Sequence, residues 1–359
     1  MTETAQTTEY IVASDAPIVA DVAADIGNAR SVILVRTATD PTPIAVELPS
    51  VRTLHGAFSW HLFADRGLPA ASWTKLGAGE HVIERGGIER FVGRLAVNHG
   101  GASSSGRGSD ARYYDGTTLD FILAGVASAL PGATRIAVNL RTLIPISLWH
   151  FAPKVESALR GKHELTYNGR AVEITIRSVV VRREAEAAFD ALDGDVSGNV
   201  VLIDAGGRTV NVALFRDGQY RAGATLELGV QAALDNLDDA LRGRGLRTLT
   251  LAERDELEAS LIVGIPYTYI CEGQPARVDP VARQQLDATA AALVQELRTK
   301  VPIDQARRVV FVGGGAYDAL FGATVKALLP RCEASGLRAL ANAYGALGAV
   351  PVKGKGKKK

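Results

Sequence analysis

The stretch that most constrains the fold of this chain is residues 199 to 215, NVVLIDAGGRTVNVALF. An apolar run ends on the carboxylate of Asp204, and two glycines, Arg208 and Thr209 separate it from a second apolar run. Two β-branched runs joined by a short turn containing glycine predict a β-hairpin. Glycines let a backbone approach a ligand closely and present N–H groups to an anion. A carboxylate beside that anion is expected where a divalent cation screens the two like charges.

A second stretch of the same kind lies half a chain length earlier. Residues 19 to 35, VADVAADIGNARSVILV, run to Asp25, continue through Gly27 and Asn28, and end in a second β run. The two aspartates of the Asp-x-Gly patterns are 179 positions apart. One such hairpin is equally well explained as a structural turn. Two matched hairpins, one in each half of the chain, would clamp a polyphosphate from two sides of a cleft.

A third stretch, residues 308 to 320, reads RVVFVGGGAYDAL. An apolar strand leads through three consecutive glycines into a segment that we predict to begin a helix. A strand that enters a helix through glycines places helix N–H groups and the positive end of the helix dipole at the loop. A phosphate or the edge of a ribose fits such a loop.

These stretches, in this order, resemble the motifs of the actin/Hsp70/sugar-kinase ATPase superfamily over residues 18 to 350. Residues 25 to 28 look like its first phosphate motif, residues 204 to 209 its second, and residues 312 to 316 its adenosine motif. Residues 340 to 348, LANAYGALG, are similar to the closing helix of the bacterial plasmid-segregation (ParM/StbA-like) actins. The resemblance implies an α/β, actin-like ATPase fold in which two domains with duplicated ribonuclease-H-like cores enclose a nucleotide cleft.

The resemblance also implies the ligands, ATP or ADP with Mg²⁺, and the residues that bind them. Asp25 and Asp204 would hold Mg²⁺ and act in catalysis. The residues implied to contact the phosphates and the adenosine are Gly27, Asn28, Ser31, Gly206, Gly207, Thr209, Gly313, Gly314, Gly315 and Ala316. Many plasmid actins carry a lysine a few residues after the first Asp-x-Gly, at the position of Val32 in this chain.

Residues 143 to 146, LIPI, are similar to a Leu-Pro segment that, in plasmid actins, leads into the helix positioning the attacking water. The polar residues that follow are Ser147, His150 and Glu156. We expect Glu156 to be the catalytic residue among them, because a carboxylate in reach of the water can orient it. A purely structural role for each of the three is the alternative.

The pattern along the chain predicts how the two domains are divided. We expect a flexible leader over residues 1 to 17 and the first actin-like domain over 18 to 180, with a variable subdomain at about 52 to 110. The second domain would follow over residues 181 to 335, and a closing helix over 336 to 352 would return to the first.

Composition restricts the class of protein. With 359 residues, 47% hydrophobic and 22% charged, the chain is long enough for two domains and has the balance of a soluble globular protein. Its sequence contains neither a run of about 18 uncharged apolar residues nor a signal-peptide pattern. Two cysteines without metal-ligand spacing fit a reducing compartment, so we expect a cytoplasmic protein.

The positive charge is concentrated at the C-terminus. The net charge is +1, but residues 353 to 359, KGKGKKK, carry five lysines, which leaves −4 on the remainder of the chain. Such a tail cannot bury apolar area and is expected to be disordered. It would contact a DNA-bound adaptor or another anionic surface, or it would serve solubility alone.

Three classes of function compete for such a nucleotide site. The first is an ATPase that polymerises with itself into filaments, for plasmid segregation or a related cytoskeletal role. The second is a small-molecule kinase, and the third is a nucleotide-gated binding module that does not polymerise. No substrate base for a kinase is evident, and only a dozen residues follow Leu347, too few for a chaperone's substrate domain. The filament ATPase is therefore the leading prediction, on resemblance and size.

Overall fold

The structure is a computed structural model that describes residues 16–54, 76, 79–99, 110–317, 321–329 and 331–348. The basic tail and residues 1 to 15 of the predicted leader lie outside this range, as does much of the predicted variable subdomain. No helix in the described part of the chain is long and apolar enough to cross a bilayer.

The described residues form two large sheets and one small hairpin. The strands are β1 (Ile18–Ile26), β2 (Arg30–Thr37), β3 (Ile44–Pro49), β4 (Arg52–Leu54), β5 (Glu80–Arg85), β6 (Ile88–Gly93), β7 (Arg135–Ile144), β8 (Gly161–Tyr167), β9 (Arg170–Arg183), β10 (Asn199–Ala205), β11 (Val210–Arg216), β12 (Gln219–Leu226), β13 (Thr268–Cys271), β14 (Gln274–Arg277), β15 (Arg308–Val312) and β16 (Cys332–Ala334). The helices are α1 (Arg94–His99), α2 (Thr117–Ala129), α3 (Ala152–Leu159), α4 (Glu186–Phe189), α5 (Val230–Arg242), α6 (Leu251–Val263), α7 (Asp279–Lys300), α8 (Phe321–Leu328) and α9 (Ala341–Leu347).

The two large sheets repeat one topology. The first has the order β3-β2-β1-β7-β9-β8-β5-β6-β4, and the second has the order β12-β11-β10-β15-β16. In each, three consecutive strands pair antiparallel. A later strand pairs parallel with the first of the three, and one more strand pairs parallel with that later strand. The predicted α/β fold with a duplicated core is therefore confirmed.

Strand β10 shows why its sequence is a continuous apolar run. It lies inside its sheet, between β11 and β15, and both of its faces are covered. Val201 and Ile203 pack into the core that contains α5 and α7, whereas Val200 and Leu202 pack into a second core on the opposite face. Because side chains alternate along a strand, burial on both sides requires apolar residues at every position.

Helix α9 connects the end of the chain to both halves. It packs against β1, β2 and β7 of the first sheet and against α4, which precedes the second sheet. The contact with α4 is very close, because a Cβ on Gly345 would overlap the carbonyl oxygen of Ala187. Glycine at this position lets the two helix backbones meet.

Two local sequence patterns explain a turn and the start of a helix. Asn168 and Gly169 have positive φ angles of 47° and 80° and form the turn between β8 and β9. Thr250 caps α6 by accepting a hydrogen bond from the backbone N–H of Glu253, whose side chain bonds back to the Thr250 N–H. The Ala-rich segment 183 to 192 contains the end of β9 followed by the short helix α4.

Candidate functional site

A cavity of about 450 Å³ opens between the two sheets. The tips of the β1–β2 and β10–β11 hairpins, the glycines after β15 and residues 338 to 340 line it. The sequence-predicted residues that the structure places in its wall are Asp25, Gly27, Asn28, Asp204, Gly206, Gly207, Thr209, Gly313, Gly314 and Gly315. The wall also contains Arg112 and Glu184, which the sequence analysis did not select.

The two hairpin tips approach each other at the cleft. A Cβ on Gly207 would lie 2.6 Å from the Cβ of Ala29, so only glycine permits this approach. The β10–β11 turn is closed by a hydrogen bond from the Gly206 N–H to the Thr209 carbonyl at 2.9 Å. The first N–H groups of α5 donate to the carbonyls of Gly206 and Gly207, which fixes the turn against the helix.

The glycine after β15 lies directly beside one of the aspartates. Gly313 has a φ angle of 85°, and a Cβ at this position would lie 2.6 Å from Oδ1 of Asp204. A side chain is therefore excluded both by backbone conformation and by space. The third motif thus brings its backbone into contact with the second.

One side-chain amide connects the two aspartates. Nδ2 of Asn342, the second residue of α9, donates to Oδ2 of Asp204 at 2.7 Å and to Oδ2 of Asp25 at 3.3 Å. Its Oδ1 accepts a hydrogen bond from the Ala185 N–H at 3.0 Å. Asn342 is buried, and so the closing helix holds both strand ends and the start of α4 with one group.

The carboxyl groups in the cleft have raised pKa values. Burial, and after it the charge of Asp204, raises the pKa of Asp25 from 3.8 to about 7. Burial likewise raises the pKa of Asp204 to about 6, although the hydrogen bond from Asn342 acts in the opposite direction. Buried carboxylates that face one another without a counter-charge favour the protonated form. A cation placed between them would reverse this preference.

Glu184 is a third carboxyl group of the cleft wall. It follows β9 directly and is 7% exposed, and Nδ2 of Asn211 donates to its Oε2 at 2.5 Å. Burial, followed by the charges of Asp25 and Asp204, raises the pKa of Glu184 well above its ordinary value. Its sequence context differs from that of the two aspartates, because Glu184 follows a strand that ends in two arginines, whereas the aspartates lie within apolar strands.

The backbone after Glu184 is strained. Ala185 has φ 63° and ψ −41°, and the Glu186 N–H donates to the Glu184 carbonyl at 2.7 Å. This is a γ-turn with positive φ, which is rare and costs about 1–3 kcal/mol for a residue other than glycine. The hydrogen bond from the Ala185 N–H to Asn342 helps to hold it. Strain of this kind is concentrated at functional sites.

Arg112 provides a buried cation in the same wall. It lies in a 3₁₀ turn, Asp110–Tyr113, and is 2% exposed. Its guanidinium donates to the carbonyls of Gly27 and Ile26, each at 2.9 Å, and to the hydroxyl of Tyr113 at 2.6 Å. Its charge lowers the pKa of both Asp25 and Glu184, against the larger effect of burial.

Three predicted site residues are not brought to the cleft wall. Glu156 lies on α3, is half-exposed, and forms an ion pair with Arg160 one helical turn later. Ser31 is buried with its Oγ 2.8 Å from the Oγ of Ser50, because alternation along β2 turns it away from the cleft that Val32 faces. Ala316 packs into the hydrophobic core below the glycines. These three assignments are corrected accordingly.

The other two polar candidates after the LIPI segment have structural positions. Ser147 and His150 lie in the 3₁₀ helix Ile146–Phe151 and are exposed. The Ser147 N–H donates to Oγ1 of Thr225 at 3.1 Å, and the His150 ring lies 4.0 Å from the ring of Phe151. Neither residue lines the cleft.

The residues present fit a magnesium ion held together with a ligand. Asp25 and Asp204 present hard oxygen donors within reach of one amide group. Within the described ranges, no group of three or more His, Cys, Asp and Glu side chains is arranged as a metal site of its own. Mg²⁺ is usually bound by one or two carboxylates, waters and the phosphates of a substrate. The donor set matches that arrangement.

Comparison with solved structures shows the fold. An archaeal actin homologue, Ta0583, is 17% identical with a TM-score of 0.69, and the match covers 92% of this chain and 98% of that one. The ParM of a 15-stranded filament from Clostridium botulinum is 16% identical with a TM-score of 0.70 over 92% and 98% of the two chains. The actin-like protein Alp7A is 16% identical with a TM-score of 0.63 over 93% and 96%.

These likenesses confirm that the chain has the actin-like fold of two domains around a cleft. Ta0583 has also been solved in complex with ADP. No protein-family model matches the sequence. No curated protein matches it either.

Proposed function

We propose that the cleft binds ATP or ADP with Mg²⁺, that the protein hydrolyses ATP, and that nucleotide controls its assembly into filaments. One observation carries the proposal. Two topologically matched hairpins place Asp25 and Asp204 at one cleft, where a single amide of Asn342 contacts both carboxylates. The similar actin homologue Ta0583 binds ADP, which supports the nucleotide part of the proposal.

The cleft residues have distinct roles in this proposal. The glycine-rich hairpin tips, with Asn28 and Thr209, surround the phosphates with backbone N–H and side-chain groups. The glycines after β15 line the side of the cleft that would receive the adenosine. Asp25 and Asp204 would hold Mg²⁺, which when bound neutralises phosphate charge and orients the terminal phosphoryl group.

Glu184 is the residue best placed to orient the attacking water. Its carboxyl group is buried in the cleft wall beside the two aspartates and is held by Asn211. A raised pKa brings its basicity closer to the operating pH, which suits a group that accepts a proton from water. No covalent intermediate is needed, because hydrolysis of this kind depends on positioning and charge neutralisation.

Assembly follows from the position of the cleft between two domains. A triphosphate in the cleft would contact both hairpins. It shifts the domains toward a closed arrangement only to the extent that it binds the closed arrangement more tightly than the open one. If the closed form matches the next subunit head to tail, the contact is open-ended and propagates as a filament. The similar ParM from Clostridium botulinum forms a 15-stranded filament. We propose plasmid segregation or a related cytoskeletal role in the cytoplasm, with the Lys-rich tail contacting a DNA-bound adaptor.

Sedimentation at increasing protein concentration tests this proposal. We expect polymer above a threshold concentration with ATP or a non-hydrolysable analogue, and much less with ADP. Asp204→Ala, which removes one carboxylate of the pair, is the matched control and should not polymerise. A wild-type chain that hydrolyses ATP but stays monomeric with every nucleotide would contradict the filament proposal. That outcome would favour a kinase or a nucleotide-gated module.

A further inference from the structure

The charge balance of the cleft requires a cation from the protein. Asp25, Asp204 and Glu184 bring three carboxyl groups to the wall of the cavity. A nucleotide triphosphate would add further negative charge beside them. Enzymes that transfer phosphoryl groups stabilise such charge with lysine or arginine side chains in addition to the metal. In this chain the candidates for that positive charge are the basic side chains that line the cleft.

Strand β2 does not supply it. Val32 lines the cleft, is 2% exposed, and packs with residues of α9. Arg30, two residues earlier, has a side chain that is 59% exposed and lies 4.0 Å from Oε2 of Glu47. Among the described residues that line the cleft, the other basic side chains are Arg112 and Arg338.

Those two arginines belong to different parts of the cleft. The carbonyl of Arg338 accepts a hydrogen bond from the Gly313 N–H at 3.2 Å, which places it with the glycines after β15. Arg112 instead binds the backbone of Ile26 and Gly27 at the tip of the first hairpin. Its charge acts on Asp25 and on Glu184, and it therefore lies on the side of the cleft near these carboxyl groups.

The hydrogen bonds of Arg112 to the backbone do not by themselves require a charged group. The carbonyls of Ile26 and Gly27 require only N–H donors, which a neutral amide also offers. Burying a guanidinium is costly unless opposite charge compensates it. Arg112 is 2% exposed, and the carboxyl groups of Asp25 and Glu184 are opposite charges that act on it.

We propose that Arg112 supplies positive charge at the terminal-phosphate end of the cleft and so favours a triphosphate over a diphosphate. The inference rests on the proposed nucleotide site and deepens it. Tyr113 is a positioning residue for this group, because its hydroxyl accepts from Nη2 of Arg112 and its ring lies 4.5 Å from the guanidinium carbon.

Calorimetric titration of the full chain with Mg²⁺ tests the proposal. The dissociation constants of a non-hydrolysable ATP analogue and of ADP are measured for the wild type, Arg112→Gln and Arg112→Lys. Glutamine keeps N–H donors and loses the charge, so it should weaken binding of the analogue by at least about tenfold while ADP changes less. Lysine keeps the charge and should retain most of the preference for the triphosphate analogue.

Controls separate this proposal from others. Arg244→Gln removes one charge from an exposed position outside the cleft and should alter neither constant. Equal weakening of both nucleotides in the glutamine and lysine variants would show a structural role and overturn the proposal. If thermal unfolding shows that the glutamine variant does not fold, the lysine variant decides: a retained preference supports the charge role, and a lost one contradicts it. A wild type that binds neither nucleotide would refute the nucleotide site itself.

Discussion

The side-chain amide of Asn342 donates to the carboxylate of Asp204 at 2.7 Å, although 138 residues separate them. The closing helix thus begins at the site and supplies a side chain to it. The same amide also contacts Asp25 and the backbone of Ala185. Three segments from distant parts of the chain therefore depend on one buried polar side chain for their relative position.

Replacing Asn342 should destabilise the protein. Asn342→Ala leaves buried carboxyl groups and the Ala185 N–H without this partner, which costs about 1–3 kcal/mol per unsatisfied group. Asn236, which is exposed on α5, is the matched control, and Asn236→Ala should change the free energy of unfolding by less than about 0.5 kcal/mol. Urea unfolding of the nucleotide-free protein measures both. Equal effects at the two positions would contradict a role for the amide bridge.

The stability of the nucleotide-free protein should decrease as the pH rises from about 4 to 7. The pKa of Asp25 is about 7 in the folded chain against an ordinary 3.8, so in this window the folded state binds more protons than the unfolded state. Stability falls with pH wherever the folded state binds more protons. Asp25→Asn mimics the protonated group and removes the contribution of Asp25 to this dependence.

The measurement is the difference in unfolding free energy between Asp25→Asn and the wild type at pH 5 and pH 8. It should shift in favour of the variant by a few kcal/mol, since one pKa unit corresponds to about 1.4 kcal/mol. Glu253→Gln is the control, because the hydrogen bond from Arg247 lowers the pKa of Glu253 to about 2. The stabilisation that the Glu253 carboxylate provides is lost only as the pH falls below about 4.5. The difference in unfolding free energy between Glu253→Gln and the wild type should therefore be constant between pH 5 and 8. A constant difference for Asp25→Asn as well would refute the raised pKa.

The contact between α9 and α4 should not tolerate a methyl group. In Gly345→Ala the new Cβ would overlap the Ala187 carbonyl oxygen, and the helices would have to separate. Overpacking of this kind typically costs about 1–3 kcal/mol. Gly336→Ala is the control, because a Cβ there meets no atom within 4 Å. Thermal unfolding that is equally affected by the two substitutions would show that the close contact does not matter.

Much of the fold could be predicted from local patterns. The runs that end in Asp25 and Asp204 are buried strands whose spacing defines the duplicated core, and the glycines that follow them have close backbone contacts. Periodicity and turn chemistry act over a few residues, and a sequence displays them directly. Strand β16 was not anticipated, because three residues carry too little pattern to stand out.

Which residues form the site is decided by tertiary packing more than by local sequence patterns. Ser31 was selected by its place in a motif, but the alternation of β2 turns it toward Ser50. Arg112 lies 85 residues from the Gly27 carbonyl to which it donates, and no local pattern connects the two. Glu156 was selected by its distance from a Leu-Pro segment, whereas Glu184 is brought to the cleft by the end of a long strand. Which carboxylate faces a cavity is decided by the packing of the whole domain.

The distinction between those two glutamates gives the sharpest test of catalysis. Glu184→Gln keeps the shape of the side chain and an oxygen for Asn211, but it cannot accept a proton from water. Loss of a general base typically reduces turnover by about 10²–10⁴-fold. Nucleotide affinity should change little, because Glu184 is not assigned to the phosphates or the metal. Glu156→Gln, on α3 outside the cleft wall, should hydrolyse ATP at the wild-type rate.

The same two variants, Glu184→Gln and Glu156→Gln, also test whether hydrolysis weakens the polymer. If hydrolysis weakens the polymer after assembly, Glu184→Gln should still form filaments with ATP. Its filaments should not disassemble with time, because the variant hydrolyses ATP much more slowly. Light scattering followed over time, with phosphate release measured in parallel, would show a stable plateau for this variant and a decline for both the wild type and Glu156→Gln. A wild-type rate of hydrolysis in Glu184→Gln, or a loss of activity confined to Glu156→Gln, would place the catalytic carboxylate on α3 and contradict the assignment made from the cleft.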